Sequence, residues 1–273
     1  MSEWKESTLG EIAGVQTGPF GSQLHRKDYK LVGTPIITVE HLGDNRITRQ
    51  NLPLVGDDDK ERLSKYLIFE GDIVFSRVGS VDRRAYVSNQ EDGWMFSGRL
   101  LRVRVNKNVI GSKFLSYYFG QSNFKEHIRR IAVGATMPSI NTKILKGVEI
   151  SYPPLPEQKA IADVLSSLDN KIDLLQRQNA TLEAMAQTLF RQWFVEEAED
   201  DWEEKPLTDF IDFLEGPGIR NWQYVYEEDG INFINIRLIQ DGEINLASAN
   251  QISKEEAFGK YAHFLLQEKD LII

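Results

Sequence analysis

Residues 76–84 hold Ser76, Arg77, Ser80, Asp82, Arg83 and Arg84 among small residues. Guanidiniums and hydroxyls gathered on such a loop suit phosphate oxygens and the O6/N7 edge of guanine. A second group, Ser139, Asn141 and Lys143, sits in a Pro-Ser-x-Asn turn within residues 134–143 and offers hydroxyl, amide and ammonium together. A third, Ser22, Gln23, His25, Arg26 and Lys27, follows a Gly-Pro-Phe-Gly turn. Arg102 and Arg104 alternate with Leu101, Val103 and Val105, so a strand here turns both arginines to one face and the apolar residues to the other. These are the candidate residues for contacts to phosphates and base edges, with Asp82 placed to orient Arg83 or Arg84.

Other chemistries lack their residues. There is no cysteine, and His25, His41, His127 and His263 are scattered without ligand spacing, which argues against a metal site. The loop at residues 17–23 has neither a Walker lysine nor three glycines in dinucleotide-binding spacing. Asp57, Asp58 and Asp59 read as a solvated turn, since nothing around them repeats an EF-hand. A methyltransferase would need an Asn-Pro-Pro-aromatic motif. Ser151-Tyr152-Pro153-Pro154 has such residues in the wrong order.

The net charge of −9 is unevenly spread: residues 1–150 carry +5, residues 151–205 carry −7 and residues 206–273 carry −7. A basic first domain joined to an acidic remainder is compatible with nucleic acid where a uniformly acidic protein would not be. No apolar run reaches the length of a membrane span, so the expectation is a cytoplasmic protein with no membrane partner.

Several elements must position these groups. β-Branched residues 34–39 read as a strand, as do residues 72–76, 85–87, 100–105 and 147–150. Residues 114–131 read as one amphipathic helix whose terminal Arg129 and Arg130 complement the helix dipole. Then Pro153, Pro154 and Pro156 open a stretch without Gly or Pro for nearly forty residues. In it Ile161, Leu165, Leu168, Ile172, Leu175, Leu182, Ala186, Leu189 and Trp193 recur in steps of three and four, with Asn179 in the same seam. That is a coiled-coil period over a helix of roughly 55 Å, and a polar seam residue can set register and partner number. Such a helix is either one long core helix of a bundle or a spacer that needs a second helix, and no such partner follows downstream in this sequence.

Beyond an acidic linker at 196–205, the opening of the chain recurs. Residues 207–217 repeat 9–19 at an offset of 198, and 230–236 repeat 33–39 at an offset of 197. The expected domains are 1–152, a spacer helix at 153–195, the linker, and an incomplete second copy at 206–273 that reaches Ile273 in mid-strand. Such a partial sheet is expected to be poorly stable without a partner to cover it.

The motifs GDIVFSRVGS (71–80), GATMPSIN (134–141) and PPLPEQKAIADVLSSLDNKI (153–172), within a duplicated domain, resemble the specificity (S) subunit of type I restriction–modification systems. The resemblance covers the first 205 residues, with the rest as a partial second repeat. It implies an α+β fold: a mixed α/β target-recognition domain, a long coiled-coil helix, and part of the same domain again. It implies a non-catalytic subunit in which residues 1–152 read one half of a bipartite double-stranded DNA target. The helix would space the halves and dock modification subunits that carry S-adenosylmethionine and methylate adenine N6. A restriction/translocase subunit could join them. A second S chain, or a second copy of this one, would supply the missing spacer helix. The alternative is a non-catalytic coiled-coil scaffold with a generic DNA-binding domain.

Overall fold

Leu100–Val105 shows how the first domain is layered. In the computed structural model, which describes residues 3–21, 23–198, 202–226, 230–240 and 242–273, this strand lies between two apolar cores. Leu101, Val103 and Val105 enter one, and Leu100 the other. The chain forms two compact units, Met1–Thr188 and Leu189–Ile273.

The first unit begins β1 (Lys5–Thr8), α1 (Leu9–Ile12), β2 (Ala13–Thr17), β3 (Tyr29–Lys30), β4 (Thr34–Ile37) and β5 (Leu54–Val55). It continues α2 (Asp57–Arg62), β6 (Ile73–Ser76), β7 (Arg84–Tyr86), β8 (Met95–Phe96) and β9 (Leu100–Val105). Then come α3 (Ser112–Tyr118), α4 (Ser122–Ile131), α5 (Thr142–Lys146), β10 (Glu149–Tyr152) and the long α6 (Leu155–Arg191). Among the described residues, one four-stranded sheet runs β2-β9-β6-β7 and another runs β3-β5-β4-β8. On one face of the first sheet, Ile73, Phe75, Leu101 and Val103 meet Phe114, Phe119, Phe124 and Ile128 of the helical layer. On the other face, Val74, Ala85 and Leu100 meet Ile36, Ile37, Met95 and Phe96 of the second sheet.

Where sequence and structure differ, local physics explains it. The segment at 114–131 is two helices, because the Arg84 guanidinium lies against Gly120; a Cβ there would sit 2.2 Å from an Arg84 nitrogen. Asp57, Asp58 and Asp59 form the first turn of α2, where their charge meets the positive end of the helix. The strand expected at 147–150 begins at Glu149, since Gly147 caps α5.

The opening Pro-Pro-Leu-Pro-Glu-Gln motif fastens α6 to this unit. β1 pairs antiparallel with β10, and the chain then turns through Pro153 and Pro154 into the helix. Gln158 is buried: its Oε1 accepts the Gly111 N–H at 2.8 Å, while its Nε2 donates to the Val109 and Pro153 carbonyls at 3.2 and 2.8 Å. Ala162 is buried in the helical core and Ile161 packs on it. Two turns on, Tyr117 donates to Asp169 Oδ2 at 2.7 Å and Arg46 pairs with Asp173. Beyond Asp173 the side chains of α6 are exposed on every face.

In the second unit, strands Ile231–Phe233 and Asn250–Ile252 pair antiparallel with Ile231 opposite Ile252, just as Thr34 stands opposite Val55 in the first. Both ends of that pair are displaced by 197 residues, and the Ile239 to Ile244 pairing repeats the Leu42 to Ile47 bridge at the same displacement. The helix Lys254–Phe258 begins at the equivalent of Asp57. The duplication is therefore legible in strand register. The counterpart of β2 forms no strand. Phe210, Ile211, Phe213 and Leu214 are accordingly exposed.

Candidate nucleic-acid interface

Three loops predicted to carry the basic groups converge. Gly79 N–H donates to the Pro138 carbonyl at 2.8 Å and Ile140 N–H to the Arg77 carbonyl at 2.9 Å, which joins residues 76–84 to residues 133–141. Arg77 reaches the first loop: its guanidinium lies 5.7 Å from the Phe20 ring centroid and donates to the Gly98 carbonyl at 3.2 Å. Gly18 and Gly98 permit this approach, since a Cβ on either would lie 2.2 Å from a carbonyl oxygen of the other segment, Ser97 or Pro19.

Beside these contacts lies an open groove of about 920 Å³, lined among others by Phe20, Thr38, Glu40, Arg83 and Arg99. Arg83 is exposed and spends one donor on the Leu42 carbonyl. Arg99 is exposed and has no side-chain partner among the described residues. An aromatic ring, two arginines and a carboxylate in one groove can stack, hold phosphates and meet base edges.

The remaining candidates divide. Ser80, His25, Lys27 and Lys143 are exposed. Ser22 and the Arg26 side chain lie outside the described residues. Gln23 holds its own loop together, its Oε1 accepting from Tyr66 Oη at 2.8 Å and from Phe20 N–H at 3.3 Å. Asn141 is the N-cap of α5, accepting the Ile144 N–H at 2.9 Å, and Ser139 donates to the Val133 carbonyl at 3.1 Å.

Arg84, Arg102 and Arg104 correct the expectation of a basic outer face. Arg84 is buried in β7 rather than in a loop, donating to the Ser116 carbonyl at 3.1 Å and to Asp44 at 3.2 Å, at the negative end of α3. Arg102 and Arg104 do share a face of β9, but the segment around Leu67 covers Arg102 and leaves Arg104 exposed. Arg102 is buried and donates to the Leu67 carbonyl at 2.8 Å, to that of Lys65 at 3.3 Å and to Gln16. Burial, and then the neighbouring Arg104 charge, lower its pKa. Arg104 grips Asp72 with two bonds of 2.7 Å, and that hydrogen bonding raises its pKa. Asp82 pairs with Arg129 at 2.6 Å and not with Arg83 or Arg84.

Phe20, Thr38, Glu40 and Arg99 were not among the sequence candidates. Arg99 left a trace: it stands three residues before Arg102, out of step with the strand's period of two, and so belongs to the turn before β9. Glu40 left none.

On α6 the interface seam also needs correction. Ile161 is occupied by the first unit's own core, and Leu165 is half-buried. Leu168, Ile172, Leu175, Asn179, Leu182 and Leu189 are exposed. Trp193 falls in a π-helical turn, Gln192–Glu196, that departs from the heptad phase. Of the acidic linker, residues 199–201 lie outside the described residues, while the Trp202 ring centroid sits 6.0 Å from that of Phe194.

Comparison with known proteins agrees with this architecture. Residues 1–184 match the family model "Type I restriction modification DNA specificity domain". The chain is 31% identical over 254 residues to the putative type I restriction enzyme MjaX specificity subunit of Methanocaldococcus jannaschii, covering 85% of this chain and 59% of that protein. It is 30% identical over 288 residues to the MjaIX specificity subunit of the same organism, covering 98% of this chain and 64% of that protein. The chain thus spans less than two thirds of the length of either relative. A crystal structure of the type I restriction–modification S subunit from M. genitalium shares the fold at a TM-score of 0.54 and 17% identity, over 84% of this chain and 59% of that one. With the family model matched over residues 1–184, well over half of its length, this chain belongs to the type I restriction modification DNA specificity domain family.

Proposed function

We propose that this chain is a DNA sequence-recognition subunit of a type I restriction–modification complex, in which the groove of the first unit reads one half of a bipartite target. The observation that carries this reading is an open groove between the segments around Phe20, Glu40 and Gly98, flanked by the exposed Arg83 and Arg99. That groove lies in the basic first part of the sequence, where lysines and arginines exceed acids by five over residues 1–150. Phosphate contacts would supply affinity and its salt dependence, and base edges the specificity.

In this reading the chain performs no catalysis and binds no cofactor. α6 docks adenine-N6 methyltransferase subunits, which carry S-adenosylmethionine, and pairs with a second spacer helix from another copy or another specificity chain. Supporting it are the firm attachment of α6 to the first unit and the exposed apolar stripe beyond Asp173. The compartment is the cytoplasm, where the DNA is; among the described residues no helix is long and apolar enough to cross a membrane.

The test is a long-read map of adenine methylation in cells making this chain with its neighbouring modification subunit. An interrupted motif absent from cells without the chain is expected. A palindromic form indicates two copies, and an asymmetric form a different second chain. No chain-dependent motif overturns the reading.

A further inference from the structure

Glu40 is out of place in a groove built for phosphates. A carboxylate repels a phosphodiester, and Glu40 lines the same groove as Arg83 and Arg99 without an ion pair to either. Its placement is deliberate in structural terms. It occupies the middle of a 3-10 turn, Val39–His41, that follows β4. The Thr38 hydroxyl, 2.9 Å away, donates to Oε1, while Oε2 has no partner among the described residues. Beneath it His41 is 2% exposed, its Nδ1 accepting the Thr38 N–H at 3.0 Å and its Nε2 lying 3.2 Å from the Gln50 carbonyl. The turn is anchored from below, and its one exposed acid faces the groove.

The second unit builds the same turn with the opposite charge. Ile236–Leu238 is a 3-10 turn displaced by 197 residues from Val39–His41, and Asn235 caps it from the position of Thr38, accepting the Arg237 N–H at 3.0 Å. Arg237 thus stands where Glu40 stands, exposed, on a retained backbone. A residue needed for the turn would keep its chemistry between copies, and a residue that holds phosphates would not be an acid in one of them. What tolerates both is contact with a variable partner: a base edge.

We infer that this position is a base-reading residue, with Glu40 accepting a hydrogen bond from an exocyclic amino group, cytosine N4 or adenine N6, and Arg237 suited to guanine O6 and N7. The inference rests on the DNA-reading function proposed above and adds which residue discriminates and between which bases.

The test selects duplexes from a randomised pool with the full chain in complex with its neighbouring modification subunit, and with the same complex of its Glu40→Ala and Glu40→Arg variants. A surface position outside both cores should leave the thermal melt unchanged, which confirms that each variant is folded. Glu40→Ala is expected to lower the preference for C or A at one position by roughly tenfold or more, with the other positions kept. Glu40→Arg is expected to move that position toward G. If both variants recover the wild-type motif, or weaken every position alike, the assignment of Glu40 is wrong while the recognition function stands. If the wild-type complex itself enriches no motif, the recognition function falls and this inference with it.

Discussion

At the scale of single residues, arginines divide by what their donors already hold. Arg83 and Arg99 face the groove, whereas Arg84 and Arg102 are structural cations bound to backbone carbonyls. Replacing Arg102 by Met strands the Gln16 amide oxygen and leaves the Leu67 and Lys65 carbonyls with only their 3.3 Å donors, Arg104 and Gln16. Hydrogen bonds to a charged group contribute about 1.5–3 kcal/mol, so urea denaturation should show a loss of about 3 kcal/mol. Arg83→Ala should leave the urea midpoint in place and reduce DNA affinity and its salt slope. The Asp82–Arg129 pair gives a pH signature. Burial pushes the Asp82 carboxyl up, but the Arg129 hydrogen bond, its own backbone N–H and the nearby cations outweigh this and hold it below its ordinary value. With the folded pKa the lower one, the pair stabilises the fold above the unfolded value of about 3.9. That contribution is lost as pH falls through the folded value. An Asp82→Asn variant should therefore melt below wild type near neutrality, and the two curves should meet in acid.

Individual elements were legible to the extent that their causes are local. The triple proline marked the start of α6, and the β-branched run marked β4, because backbone restriction and strand preference act over a few residues. The break between α3 and α4 was hidden, since it answers to Arg84, a side chain from a distant strand. The face of Arg102 and Arg104 was read correctly, but the exposure holds only for Arg104, since Arg102 is buried: alternation shows which residues share a side, never what covers it. The reading groove was invisible for the same reason, as Phe20, Glu40, Arg83 and Arg99 meet only through tertiary packing. Gln158 is the clearest case of an element held by one residue. Gln158→Leu would strand the Gly111 N–H and leave the Val109 and Pro153 carbonyls short of a donor inside the junction. A loss of about 2–3 kcal/mol is expected, with amide exchange accelerating first at residues 109–111 and in the first turns of α6. Unchanged protection there would show that the proline turn and Ala162 alone seat the helix.

For the whole molecule, the consequence lies on the far part of α6. Leu168, Ile172, Leu175, Leu182 and Leu189 are between 40% and 62% exposed, a continuous stripe that water should not face in a finished assembly. The first unit leaves these side chains exposed, and beyond Asp173 every side chain of α6 is exposed. The steps of three and four match a heptad seam, and Asn179 within it favours a defined register over loose association. A helix stripe of this period is best covered by another of the same kind, and each copy of the chain carries one. Sedimentation of the full chain at micromolar concentration is thus expected to show a concentration-dependent dimer. Leu175→Asn combined with Leu182→Asn should return it to monomer while leaving the melting of the first unit intact, because neither residue touches its core. A wild-type chain that stays monomeric throughout would mean that the stripe awaits a different helix. In that case a modification subunit or a second specificity chain, added in equal amount, should give a stable complex that the double variant cannot form.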